Sequence, residues 1–189
     1  MPAIESKMMP LGTPAPDFSL PDPSGAVHSL ADAGEAGAVV VAFICNHCPY
    51  VQHMAPALSG VSAELIDRGA AVFAINSNDA EQYPDDSPEQ MEREAAVHGY
   101  PFPYLIDADQ SVAKAYGAVC TPDLFVFDRD RNLAYRGQFD STRPSSGGPA
   151  TGVDLVNAVD AVLAGQPAPE PQLPSLGCSI KWKPGNEPG

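Results

Sequence analysis

Two cysteines stand two residues apart in Cys45-Asn-His-Cys48, and Pro49 and Tyr50 follow at once. A thiol pair at this spacing has three chemical uses: exchange with a disulfide, attack on a peroxide, or binding of a soft metal ion. The first two need a thiolate, and a thiolate needs positive potential around the sulfur. Before the pair runs Val39-Val-Val-Ala-Phe-Ile44, continuous, apolar and largely β-branched, as in a parallel strand buried on both faces. After it, Pro49 is favoured in the first turn of a helix. The pair therefore falls between the carboxyl end of a buried strand and the amino end of a helix, where open α/β sheets place their sites. Unpaired backbone N–H groups there favour an anion. This placement points to redox chemistry rather than to two packed cysteines or half of a zinc site. His47 is either a proton acceptor whose charge stabilises the thiolate and makes the pair more oxidising, or a solvent-facing loop residue.

Two more cysteines, Cys120 and Cys178, complete a set of four. A metal site would draw on Cys45, Cys48 and a histidine or Cys120. The chain lacks the second close cysteine pair of a structural zinc site, so neither a metal nor a cofactor is expected. Arg136 and Arg143 are cations available to a peroxide-reducing thiol, and Arg143 reads better as a surface residue. The acidic stretch Asp79–Asp86 reads as a solvated loop, and His28, His53 and His98 as surface residues.

The elements that must position these groups follow from pattern. The chain has 189 residues, 44% hydrophobic and 18% charged, enough for one domain with a core. Its formal net charge of -14 repels phosphate backbones and anionic lipid, so neither nucleic acid nor a membrane is an expected partner. The first ten residues lack a signal-peptide pattern, and no apolar run approaches the ~20 residues that span a bilayer. The expectation is a cytoplasmic protein, whose cysteines are kept reduced and serve chemistry rather than permanent crosslinks.

Short strands at Phe18–Leu20 and Val27–Leu30 flank a turn and suggest an edge hairpin. Val51, Met54, Leu58, Val61 and Leu65 share one face of a helix that Pro56 should kink and Gly69 should end. Ala70–Asn76 is a second buried strand. Ser87-Pro-Glu-Gln90 opens a helix to His98, and a short helix from Ser111 to Tyr116 stops at Gly117. Leu124–Phe127 and Leu133–Tyr135 flank a turn as a hairpin, and Asp154–Ala164 forms the last helix. Residues 1–165 should form this domain. The tail, 166–189, is proline-rich, yet it holds Cys178 and the only tryptophan, Trp182, and is expected to pack on the domain.

Gly12-Thr-Pro-Ala-Pro-Asp-Phe-Ser-Leu20, Asp107-Ala-Asp-Gln-Ser-Val-Ala113 with Tyr116-Gly117, and Thr121-Pro-Asp-Leu-Phe-Val-Phe-Asp128 resemble the alkyl hydroperoxide reductase/thiol-specific antioxidant (redoxin) branch of the thioredoxin superfamily. Cys45-Asn-His-Cys-Pro-Tyr-Val51, Tyr135-Arg-Gly-Gln138 and Gly177-Cys-Ser-Ile-Lys-Trp-Lys183 are similar to a thioredoxin-like subgroup within it. The resemblance implies a thioredoxin fold: an α/β domain with a mixed central sheet flanked by helices, an N-terminal hairpin and a packed C-terminal tail. It implies a thiol–disulfide oxidoreductase acting on protein or small-molecule disulfides, or alternatively a thiol peroxidase, with an unidentified reductant. Aligned through Phe43 without a gap, Cys48 takes the nucleophile position and Cys45 falls three residues before it as first-choice partner; a shifted loop would reverse the two. The proton-moving aspartate of ordinary thioredoxins falls at Ala42, and the proline of peroxiredoxins near Val41, so the chain departs from both.

The same resemblance makes Thr121-Pro122 a cis-proline loop facing the cysteines, with exposed backbone able to pair with an extended substrate. Cys120, two residues before that proline, is a second resolving thiol or a packing residue. Cys178 resolves Cys48 from the tail, as C-terminal cysteines do in some peroxiredoxins, or merely packs. His47, Pro49, Thr121, Pro122 and Arg136 are the residues expected around the substrate.

Overall fold

The strand that leads into the cysteine pair is the centre of the sheet. In a computed structural model, which describes residues 3–146 and 148–188, the elements run β1 (Ile4–Glu5), β2 (Ser19–Pro21), β3 (Val27–Ser29), β4 (Ala38–Phe43), α1 (Pro49–Asp67), β5 (Ala70–Asn76) and α2 (Pro88–His98). They continue with β6 (Tyr104–Ile106), α3 (Ser111–Tyr116), β7 (Cys120–Thr121), β8 (Asp123–Phe127), β9 (Leu133–Gly137), α4 (Val153–Leu163) and β10 (Leu176–Ser179). The five-stranded sheet has the order β6-β5-β4-β8-β9. β4 and β6 run parallel to β5, whereas β8 is antiparallel to both β4 and β9. β2 and β3 form the separate N-terminal hairpin. This mixed sheet with its flanking helices is the thioredoxin fold.

All six residues of β4 are buried, which explains why that stretch carries no polar alternation. Its side chains divide between two cores. Val39, Val41 and Phe43 meet Phe73, Ile75, Phe125, Phe127 and the α3 residue Tyr116. Val40 and Ala42 face the other side, with Cys45 and Cys48, against Val51, Met54 and Leu58 of α1 and Leu155 and Val159 of α4. α1 runs unbroken through Pro56. α2 begins at Ser87, whose Oγ accepts the Gln90 N–H at 3.4 Å, and ends at Gly99 in the left-handed region, φ 64°.

The tail adds a second sheet. β10 lies between β1 and β7 and is antiparallel to both. Ile180 is buried beyond it, and Trp182 packs against the Phe43 side of the core.

One buried polar group is not explained by packing. Asp123, opposite Phe43 at the start of β8, is 1% exposed, and neither carboxylate oxygen closes a hydrogen bond. Burial pushes its pKa well above the usual carboxylate value, against weaker opposite pulls from the Leu124 N–H and the Ser6 hydroxyl. A raised folded-state pKa leaves stability intact below the unfolded value of 3.8 and erodes it as pH climbs toward the folded value. Asp123→Asn, which cannot ionise, should therefore gain about 1–3 kcal/mol over the wild type at pH 7.5 and little at pH 4. Thermal melts at both pH values check this, and an equal difference at the two would rule it out.

Candidate active site

Three segments meet where β4 ends. The first is the junction from Ile44 to Cys48, the second the turn from β7 into β8, and the third β10. Cys48 is the N-cap of α1, in extended conformation (φ -73°, ψ 122°), with Pro49 in the first turn. The Thr121–Pro122 bond is cis. Thr121 reaches both sulfurs: its Oγ1 lies 3.2 Å from Cys45 Sγ, and its carbonyl accepts the Cys48 S–H at 3.1 Å. Opposite Thr121 on the neighbouring strand stands Cys178, and opposite Cys120 stands Ser179. All four cysteines are free thiols; three are buried and Cys178 is half-buried.

These thiols do not share protons evenly. Cys48 is pulled down to about 5, first by the Cys45 thiol as donor, then by Cys178 and the backbone N–H groups of Val51 and Cys178, against the cost of burial. Its side chain closes no cap hydrogen bond in the thiol form, because the S–H is turned to Thr121. That carbonyl opposes a thiolate, but two thiol donors and the helix N-terminus outweigh one carbonyl. Cys45 is pushed well up, chiefly by its hydrogen bond to Cys48, then by burial and by the charge of Asp86. Burial raises Cys178 to about 12, with help from Cys48, and also raises Cys120. Cys48 is the thiol that ionises.

His47 is held from the other side. Its Nδ1 pairs with Asp86 Oδ2 at 2.5 Å, and its ring stacks on Tyr83 at 5.6 Å and 7°. Asp86 Oδ1 accepts the Asn46 N–H at 2.7 Å and the Asn76 amide at 3.2 Å, and Oδ2 also accepts the Asn78 amide at 2.8 Å. The Asp86 bond raises the pKa of His47, against burial and Lys181. Burial works to raise the pKa of Asp86, but the donors from His47, Asn78 and Asn46 together hold it below the usual value. The expectation of a solvated acidic loop over Asp79–Asp86 is corrected at its two ends, where Asp79 is 3% and Asp86 2% exposed, and holds between them, where Glu81, Gln82, Pro84 and Asp85 are exposed. These two carboxylates turn inward because they find N–H, amide and imidazole donors that offset the loss of water.

The structure thus brings together Cys45, Cys48, Cys178, His47, Pro49, Thr121 and Pro122. Cys120 is the first residue of β7, and its Sγ is directed at the Pro122 carbonyl at 3.7 Å rather than at either sulfur of the pair. Arg136 is elsewhere: its guanidinium binds the Met9 carbonyl at 2.9 Å and Gln172 at 2.7 Å. Arg143 is spent on the Asp140 and Thr142 carbonyls and Gln138. The Thr121 backbone is not exposed as expected, because β10 pairs with it and covers it. Donor atoms of Cys45, His47 and Asp86 lie within 4.8 Å of one another and are a possible cation cluster. Asp86 already accepts four donors, however, and its oxygens are committed to them.

Asp86, Asn46, Asn78 and Gln110 were not anticipated from sequence. The Gln110 amide donates to the carbonyls of Ser77 and Lys181 at 2.7 and 2.9 Å. Only its placement in the Asp107–Ala113 motif sets that glutamine apart.

Comparison with known proteins shows what the chain is similar to. Residues 11–136 match the model of the AhpC/TSA family. Thiol-disulfide oxidoreductase ResA of Geobacillus thermodenitrificans is 27% identical over 126 residues, which is 67% of this chain and 68% of that protein. A solved structure of an uncharacterized conserved protein from Geobacillus kaustophilus is 54% identical, with TM-score 0.94, covering 97% of this chain and 98% of that one. A hypothetical protein from Sinorhizobium meliloti 1021 is 50% identical, also with TM-score 0.94, over 96% and 99%.

Proposed function

The chain belongs to the AhpC/TSA family and is an oxidoreductase; from that premise we propose that it is a thiol–disulfide oxidoreductase with Cys48 as nucleophile. The observation that supports this most is the selection of one sulfur among four. Cys48 alone has its pKa lowered, at a helix N-terminus with two thiol donors beside it.

The Cys48 thiolate attacks one sulfur of a substrate disulfide RSSR, forms a mixed disulfide and expels RS⁻. A neighbouring thiol then attacks Cys48 Sγ, passes its proton to the departing sulfur and leaves an intramolecular disulfide. The substrate has become one RSH and one RS⁻, which takes its proton from solvent, and the protein has lost two electrons. Two electrons from a cellular thiol or dithiol return it to the starting state. The Asp86 bond raises the pKa of His47, and the protonated ring favours the thiolate at both the start and the end of the cycle. A cytoplasmic location, where the thiols rest reduced, suits this direction. No helix among the described residues is long and apolar enough to cross a membrane.

Peroxide reduction is the second reading, favoured by the full burial of Cys48, since a peroxide needs little room. Against it, the guanidinium groups of Arg136 and Arg143 are bound away from the sulfur. Turnover of a small disulfide and of hydrogen peroxide, each with dithiothreitol as reductant, separates the two. Faster disulfide turnover is expected. Peroxide consumption through a Cys48 sulfenic acid without disulfide turnover would transfer the protein to the second reading.

A further inference from the structure

An extended peptide laid antiparallel along β7 would present one residue opposite Thr121, directly over the Cys48 sulfur that the Thr121 carbonyl touches. In this protein the strand in that place is its own. β10 pairs with β7, and the residue opposite Thr121 is a cysteine, Cys178. The approach is close enough to demand glycine beside it. A Cβ on Gly177 would collide with the carbonyl of Thr121 and the ring of Pro122. Beyond the strand, the chain is fastened to the domain by hydrogen bonds. The Ile180 N–H donates to the Val119 carbonyl at 2.9 Å, the Lys181 N–H to Asn78 at 2.8 Å, and the Lys183 N–H to Gln110 at 2.8 Å. On its far edge β10 is closed by β1. The consequence for access is uneven: Cys48 is 0% exposed, whereas Cys178 is half-buried.

We propose that β10 is an internal substrate strand, which fills the groove a polypeptide would use, delivers Cys178 to Cys48 as resolving thiol, and restricts the docked enzyme to small disulfides. This rests on the thiol–disulfide reading above. A small disulfide needs only the Cys178 side chain to swing aside. A protein disulfide needs the whole strand to leave, with its ladder and its anchors at Asn78 and Gln110. In the cycle, Cys48 thiolate takes one sulfur of RSSR and releases RS⁻. Cys178 then attacks Cys48 Sγ, gives its proton to the second RS⁻, and the Cys48–Cys178 disulfide forms. An external thiol reopens it at the half-exposed Cys178 sulfur, expelling Cys48, the better leaving group because of its low pKa.

The test compares bis(2-hydroxyethyl) disulfide with insulin as substrates, for wild type, Gly177→Val and Cys178→Ser, with disulfide mapping after oxidation. Wild type should turn over the small disulfide and leave insulin near background. Gly177→Val, which pushes the strand off β7, should raise insulin reduction about tenfold or more relative to the small substrate. If that variant fails to fold by circular dichroism, Gln110→Ala releases the Lys181 and Lys183 anchors instead, with the same expected direction. Cys178→Ser should accumulate a mixed disulfide on Cys48, seen as added mass. Insulin reduction by wild type as fast as by the tail variants would overturn the proposal, as would a Cys45–Cys48 disulfide in the oxidised wild type. Failure of the underlying function looks different: no protein then turns over either disulfide. Mapping after hydrogen peroxide then still decides, because a Cys48–Cys178 bond upholds the internal strand and its absence removes it.

Discussion

Cys48→Ser should lower disulfide exchange by a factor on the order of a thousand or more, because no other sulfur in the protein is both ionised and placed to attack. With a pKa of about 5, Cys48 is almost wholly thiolate at neutral pH, whereas a thiol at the ordinary value of 9.0 is about one per cent ionised there. A serine hydroxyl supplies no comparable anion. The pH dependence carries more information than the loss itself. The wild-type rate should rise with pH through a midpoint near 5 and then level off, since the thiolate fraction is complete above it. Cys45→Ala removes the largest cause of that low value, so its midpoint should move upward toward the ordinary thiol range. Rates of exchange with a small disulfide between pH 4 and 9 give both numbers. If Cys48→Ser keeps the rate and Cys45→Ser loses it, the roles of the two sulfurs are reversed.

Which parts of this site were readable in advance depends on how locally each is determined. β4 was legible because a strand covered on both faces has no polar residues to interrupt it, and Pro49 marks the first turn of α1 whatever surrounds it. Together they place Cys48 at the helix start from the sequence alone. β10 was not legible as a strand. Leu176-Gly-Cys-Ser179 shows no alternation, and its partners β1 and β7 are two-residue segments far away in sequence. The expectation of an open backbone at Thr121 failed for that reason, since nothing local says what lies across a strand edge. Asp85 and Asp86 are neighbours of one chemical type, yet one is exposed and the other sits at the centre of the His47 network. Arg136 points outward from β9, as strand alternation requires, but its partners come from the N-terminal segment and the tail.

Asp86→Ala should be the most damaging change outside the cysteines, costing about 3–5 kcal/mol of stability, because it strands the donors of Asn46, Asn76, Asn78 and His47 in a buried site. Asp86→Asn keeps the volume and isolates the charge. The signs fix where the charge matters. The Asp86 pKa is lowered, so its contribution is present above the unfolded value of 3.8 and is lost as pH falls through the folded one. The His47 pKa is raised, so its contribution is complete below 6.5 and is lost as pH rises through its folded value. The stability difference between wild type and Asp86→Asn should therefore be largest between about pH 4 and 6.5 and shrink on either side. Chemical denaturation across pH 3 to 9 measures it, and a flat difference would contradict the ion pair. The same carboxylate also helps choose the nucleophile, because its charge raises the pKa of Cys45 while the imidazolium it holds favours the Cys48 thiolate. In wild type, brief labelling with iodoacetamide near pH 6 should mark Cys48 and spare Cys45. In Asp86→Asn, whose His47 has lost the carboxylate that raises its pKa, labelling of Cys48 should slow, and an unchanged rate would show that Asp86 holds the loop without acting on the sulfur.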